Sequence, residues 1–181
     1  MTVKHPARAI ALAVGAVLVG LAVLLASQVN ANPQYKGGDL LGRTVPAFDL
    51  PALNGGSNLR AGDLRGKVVF VNFWNSWCIP CQQEHASLSA FYARHRDDAD
   101  FEMIGILRDD TAKAARSYVR EHHDQWSFAT DPDGQAALLF GTTGQPESYM
   151  IAANGVVVGV QRSPVSVANL EEMLSVARKF A

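Results

Sequence analysis

The hydrophobic pattern changes period several times along the chain, and each change marks an element. Ile10 to Ala26 is an unbroken run of 17 residues drawn only from Ala, Val, Leu, Ile and Gly. A buried soluble helix would carry a polar stripe, and this run has none, so it reads as a membrane segment. Asn32 to Gly38 (Asn-Pro-Gln-Tyr-Lys-Gly-Gly) reads as a flexible tether. Val45 to Leu50 predicts a short edge strand, where Pro46 is tolerated. Asn54 to Ser57 is a turn, and Leu59 to Gly66 a short polar connection. The run that follows, Val68-Val69-Phe70-Val71-Asn72-Phe73-Trp74, is β-branched and aromatic with almost no polar alternation, the mark of a strand covered on both faces. Gln82 to His95 has helical spacing, with Leu88, Phe91, Tyr92 and His95 on one face. Phe101 to Leu107 is a second buried strand. Asp110 or Thr111 caps a helix to about His123, with Ala114, Ala115, Tyr118 and Val119 inward. A strand at 126–129 and a short helix at 135–140 come next. Glu147 to Ala152 and Val156 to Gln161 form a strand pair around Asn154-Gly155, a strong hairpin signal. Ser166 caps the last helix, whose inner stripe is Leu170, Met173, Leu174 and Ala177. Strand–helix–strand–helix, then hairpin and helix, predicts an α/β fold: a central mixed β-sheet flanked by helices, preceded by the hydrophobic N-terminal helix.

Length and charge narrow the function classes. A chain of 181 residues suits one domain with a sizeable core. The net charge of −1 sets up no global field toward nucleic acid, and none is expected as a partner. The N-terminus divides the chain into a tip and hydrophobic segment (1–30), a linker (31–39) and a domain (40–181). Lys4 and Arg8 precede the apolar run with no acid beside them, which places the N-terminus in the cytosol and the domain outside. The run is near the lower limit of about 17 residues for a span and longer than a signal core of roughly 7–15. An uncleaved anchor is the favoured reading. Val29-Asn30-Ala31 offers small residues for cleavage, which would leave a secreted domain. Either way the cysteines meet a compartment where disulfides persist.

Those cysteines are the candidate chemistry. The buried strand ends in Asn75-Ser76-Trp77-Cys78-Ile79-Pro80-Cys81, and the chain has no other cysteine. Cys78 falls at a helix N-terminus, where unpaired N–H groups and the dipole favour a thiolate. A thiolate is the nucleophile of disulfide exchange. Cys81 lies one turn on, close enough to close a small disulfide and act as a two-electron switch. Such a short bridge would add little stability by chain entropy. A zinc site lacks its second ligand pair. Ligation by Cys78, Cys81 and His85 stays open, as in copper delivery by soft thiolates. Covalent haem attachment needs His after the second Cys, and Gln82 is there.

Phe73-Trp74-Asn75-Ser76-Trp77-Cys78-Ile79-Pro80-Cys81 resembles the thioredoxin active site, and the element order from Leu40 onward resembles the thioredoxin-like fold. Three further segments are similar to the TlpA/ResA/DsbE (CcmG) group of membrane-anchored thiol-disulfide oxidoreductases in cytochrome c maturation. These are Pro46-Ala47-Phe48 with Gly66-Lys67-Val68-Val69, similar to their N-terminal hairpin, Cys78 to His85 as CxxCxxE followed by His, and Gly141-Thr142-Thr143-Gly144-Gln145-Pro146-Glu147-Ser148-Tyr149. The N-terminal hydrophobic segment fits their usual anchoring.

The resemblance implies roles residue by residue. Cys78 attacks, Cys81 resolves, and no cofactor is needed beyond the Cys78–Cys81 disulfide. Pro146 would be cis, facing the disulfide and leaving the Gln145 backbone free to pair with an extended substrate. Trp77 would cover the rim by Cys78, and Pro80 would tune the motif. Glu84, three residues after Cys81, would sit partly buried on the same helix side and take the proton of Cys81. Thioredoxins carry a buried Asp six positions before the first Cys; Asn72 stands there and cannot be that base. Glu147 is a second acid near the site. The implied substrate is the CxxC of apocytochrome c or another disulfide-bearing protein, and the implied reductant a membrane donor of CcdA or DsbD type. Disulfide oxidation or isomerisation and copper delivery are the competing readings; a peroxidase would need Thr and Arg near its Cys, where Ser76 and Trp77 stand.

Overall fold

The computed structural model describes residues 12–21, 23 and 40–180. Residues 12–21 and 23 are helical. The remainder of the expected anchor and cleavage site, and the tether over 31–39, lie outside the described residues. Among the described residues no helix is long and apolar enough to cross a membrane.

The domain from Leu40 onward is built on a five-stranded sheet. In chain order its strands are β3 (Val68–Trp74), β4 (Phe101–Leu107), β5 (Ser127–Thr130), β6 (Glu147–Ile151) and β7 (Val157–Gln161). A small hairpin, β1 (Asp49–Leu50) with β2 (Leu59–Arg60), precedes them. The sheet order is β5-β4-β3-β6-β7, parallel across β5, β4 and β3 and antiparallel across β3, β6 and β7. Four α-helices complete the domain: α1 (Ile79–His95), α2 (Ala112–Glu121), α3 (Gln135–Phe140) and α4 (Val167–Ala177).

The lack of polar alternation in β3 has its cause in two cores. Phe70 and Trp74 point into one, with Leu88 and Phe91 of α1, Ala115 and Val119 of α2, and Leu170 and Leu174 of α4. Val71 and Phe73 point into the other, with Phe48, Ile104, Phe140 and Tyr149. Every residue of β3 is buried, and the only polar one is Asn72. Gly105 of β4 is required by packing: a Cβ there would meet the Phe128 ring at 2.7 Å and Trp74 Nε1 at 2.8 Å. Its absence lets the Trp74 indole lie against the strand.

Three local expectations shift. The connection at 59–66 is partly ordered as β2 and a 3₁₀ turn, Ala61–Leu64. Asp49 accepts hydrogen bonds from Asn58 Nδ2 (2.6 Å) and Arg60 Nε (3.0 Å), which close the hairpin. The edge strand shrinks to Asp49–Leu50, past Pro46, which has no N–H to donate. Thr111, not Asp110, caps α2 by accepting the Ala114 N–H. Asp110 is drawn instead to Ser76, beside the cysteines.

Candidate active site

β3 delivers the chain to the sheet's centre, and α1 begins just past its end. Cys78 is the N-cap of α1, with extended backbone, and its Sγ accepts the Cys81 N–H at 3.1 Å. This is the position where a side-chain acceptor satisfies an orphan donor of the first turn. It is also where the positive end of the helix dipole favours an anion, the charge a thiolate carries. Pro80, in the first turn, has no N–H to leave unsatisfied there. The helix therefore starts at Ile79, three residues earlier than its apolar spacing indicates.

Cys78 and Cys81 are joined in a disulfide, with Cα atoms 5.2 Å apart. Both are largely buried, yet Cys78 lies in an open groove lined by Trp77, Ile79, Pro80, Gly144 and Gln145. Trp77 and Ile79 are 61% and 66% exposed, so the rim of the groove is apolar and wet. Trp77 is thus a surface residue. Its Nε1 donates to the Asp109 carbonyl at 3.1 Å. The turn before it is held by Ser76, whose N–H and Oγ both donate to Asp110 Oδ2 (2.9 and 2.6 Å).

The Gln145–Pro146 peptide is cis. It brings Gln145 to the groove that holds Cys78, while Pro146 borders a second hollow with Pro80, Glu147 and Arg162. No hydrogen bond among the described residues occupies the Gln145 backbone. The cis-proline loop and the disulfide, 65 residues apart in the chain, share one surface.

Glu84 lies on α1 at the base of the site and is 1% exposed. Its Oε1 accepts from Asn72 Nδ2 at 2.9 Å, and its Oε2 from the Val165 N–H at 2.9 Å. The same Asn72 Nδ2 also reaches Ser148 Oγ at 3.0 Å. Burial pushes the Glu84 carboxyl up to about 7, against the opposing pull of the two hydrogen bonds and of His85 nearby. A carboxyl that titrates there can hold or release a proton at neutral pH.

Glu147 is equally buried but differently partnered. Its Oε2 accepts from the Thr143 N–H (2.8 Å) and Oγ1 (3.2 Å), its Oε1 from the Tyr149 hydroxyl (2.8 Å) and Arg162 Nε (2.9 Å). Four donors, one of them a cation, make it a clasp for the loop that carries Pro146, on the sheet face opposite Glu84. Burial and the neighbouring carboxylate push the Tyr149 hydroxyl well above its ordinary range.

His85 is engaged elsewhere. Its ring nitrogen Nε2 pairs with Asp124 Oδ1 at 2.8 Å. Among the described residues no group of three His, Cys, Asp or Glu side chains is arranged to hold a metal ion.

A profile of the Redoxin family matches residues 40–174. The chain belongs to the Redoxin family. It is similar to thiol:disulfide interchange protein DsbE of Pseudomonas fluorescens biotype C, 33% identical over 138 residues covering 76% of this chain and 75% of that protein. It is also similar to thiol-disulfide oxidoreductase ResA of Bacillus thuringiensis subsp. konkukian, 28% identical with coverage of 74% and 76%. Among solved structures, MTB dsbF, determined in mixed oxidized and reduced forms, superposes with a TM-score of 0.67 at 26% identity, covering 74% of this chain and 99% of that one. This Redoxin domain is a thioredoxin-like thiol-disulfide oxidoreductase of the DsbE/ResA type, acting on disulfide-bearing proteins.

Several partners were not legible beforehand. Arg162 and Val165, which hold Glu147 and Glu84, come from the β7–α4 loop, and Val165 acts only through its backbone. The Asp124 partner of His85 sits in a loop 39 residues on. Nothing in the local pattern around these residues marks them.

Proposed function

We propose that this domain is a protein-disulfide reductase on the extracytoplasmic side of a membrane, tethered by the apolar segment at 10–26. Its substrate in this reading is the CxxC disulfide of apocytochrome c, opened before haem is attached. A membrane donor of CcdA or DsbD type restores the dithiol. The observation that carries the reading is Cys78: a helix N-cap whose sulfur already accepts an N–H, in a groove shared with the cis-Pro146 loop. The N-terminal charge pattern and the DsbE-type relatives support the location and substrate.

Reduced Cys78 attacks one sulfur of the substrate disulfide, and the other sulfur leaves as a thiolate. A mixed disulfide then links Cys78 to the substrate. The unoccupied Gln145 backbone holds the substrate's extended chain beside it, as an added strand. Cys81 gives up its proton to a base, for which Glu84 is the buried carboxyl on its own helix, and attacks Cys78 Sγ. The Cys78–Cys81 disulfide forms, and the substrate leaves with both its sulfurs reduced.

The deciding measurement is the equilibrium potential of the Cys78–Cys81 couple against glutathione. A reductase requires a value well below the roughly −120 mV of a strong oxidant. A value at or above it reverses the direction and overturns the proposal. Cys81→Ser should accumulate a covalent complex between Cys78 and a CxxC peptide of apocytochrome type, seen by mass spectrometry. Failure to trap one, with Cys78 reactive, would reject that substrate.

A further inference from the structure

Behind Cys81 lies a small cavity, about 20 Å³, walled by Asn72, Trp74, Cys81, His85, Tyr118 and Asp124 among others. That volume has room for about one water molecule. Its walls are largely apolar, with Leu88, Trp126 and Phe128 among them, but the cysteine, Asn72 and a histidine paired to an acid also line it. Trp74 Nε1, buried and without a hydrogen-bond partner among the described residues, is turned toward Gly105 of β4.

Cys81 and His85 are four residues apart on α1, so their side chains stack on one helix face. His85 Nε2 faces Asp124 Oδ1 at 2.8 Å, and the Asp124 side chain is 2% exposed. With Nε2 donating to the carboxylate, Nδ1 is the nitrogen turned away from Asp124, and in the neutral ring it is the one that carries the lone pair. This is the way an acid orients a histidine base in hydrolytic triads. The groups packed around the imidazole are few. From α2 and its end come Tyr118 and His122, with ring centroids 5.7 and 4.6 Å from that of His85. His122 Nδ1 donates to the Tyr118 carbonyl at 2.9 Å. From α1 come Glu84 and Cys81. Glu84 has both carboxylate oxygens occupied by Asn72 and Val165. It is also sealed from solvent, whereas the His85 side chain is 16% exposed.

We propose that His85, oriented by Asp124, is a second base for Cys81 and accepts its proton through a water in this cavity. This rests on the reductase mechanism above. The proton moves from Cys81 Sγ to His85 Nδ1. The Cys81 thiolate then forms its bond to Cys78 Sγ as the Cys78–substrate bond breaks, and the leaving thiolate takes up a proton from solvent. The electrons come from the dithiol and end on the substrate sulfurs.

The test is stopped-flow reaction of the reduced protein with 5,5′-dithiobis(2-nitrobenzoate). The first thionitrobenzoate reports attack by Cys78, the second resolution by Cys81. His85→Gln should leave the first phase within about twofold and slow the second on the order of tenfold near neutral pH, removing one inflection from its pH profile. Asp124→Asn, which keeps the shape of the site, should shift the second phase in the same direction by a smaller factor and serves if His85→Gln does not fold. A second-phase profile that superposes on wild type in the folded variant overturns the proposal. Absence of the first phase in wild type would instead overturn the redox mechanism beneath it.

Discussion

Two glutamates flank the disulfide, each 1% exposed, on opposite faces of the same sheet. Glu84 receives two neutral donors and has no cation bonded to it; burial wins, and its carboxyl is pushed up to about 7. Glu147 receives four donors, one of them the Arg162 guanidinium at 2.9 Å. Equal burial thus yields two devices. A buried acid given only neutral partners has its carboxyl pushed up into the neutral range, as the proposed proton carrier requires, and one given a cation and a full donor set becomes a clasp. Glu84 lies on the helix of Cys81, three residues on, and Glu147 follows Pro146 directly.

The largest break in this contrast is expected from Glu147→Ala. It removes the acceptor of the Thr143 N–H and hydroxyl and the partner of Arg162, leaves the Tyr149 hydroxyl only its Phe140 carbonyl contact, and should lower stability by about 2–4 kcal/mol. Urea unfolding checks this; a loss below about 1 kcal/mol would reject the clasp. The pH dependence from Glu84 comes next. Its folded value is above the ordinary 4.5, so between about 4.5 and 7 the folded state binds a proton that the unfolded chain has released. This contribution is complete below about 4.5 and is lost as pH rises through about 7, amounting to on the order of 3 kcal/mol. Glu84→Gln should flatten that slope in denaturation curves recorded from pH 4 to 8; an unchanged slope removes the proton-carrier assignment. The smallest effect sharpens the comparison most. Arg162→Met takes the cation from Glu147 and leaves its other donors in place. Stability should fall by about 1–2 kcal/mol in urea unfolding, less than for Glu147→Ala. No measurable loss would mean that Arg162 does not fasten the loop.

Legibility differed between these regions for a physical reason. β3, β4 and the cysteine helix could be read directly, because burial on both faces demands continuous apolar strands and the N-cap demands an acceptor at Cys78. The cis-Pro146 loop could be read through its resemblance, and the structure has the cis peptide. Glu84 was visible as an acid three residues from Cys81, but its Val165 partner is a backbone N–H that any residue could supply. Glu147 was visible as an acid beside Pro146. Its character was not, because Arg162 is 15 residues away on another strand end. An N-terminal hairpin is implied by the resemblance, but its pairing of Asp49–Leu50 with Leu59–Arg60 was not legible, because it is closed by contacts of Asn58 and Arg60 to Asp49.

By itself the sequence determined the fold class, the dithiol at a helix start and the acids near it, since these follow from periodicity, capping and spacing along the chain. Only the tertiary structure decided that Glu84 is buried among neutral donors with its carboxyl pushed up, that Glu147 is bound to Arg162, and that His85 turns to Asp124. A carboxyl's chemistry is set by the partners that folding brings within about 3 Å, and those partners come from elsewhere in the sequence.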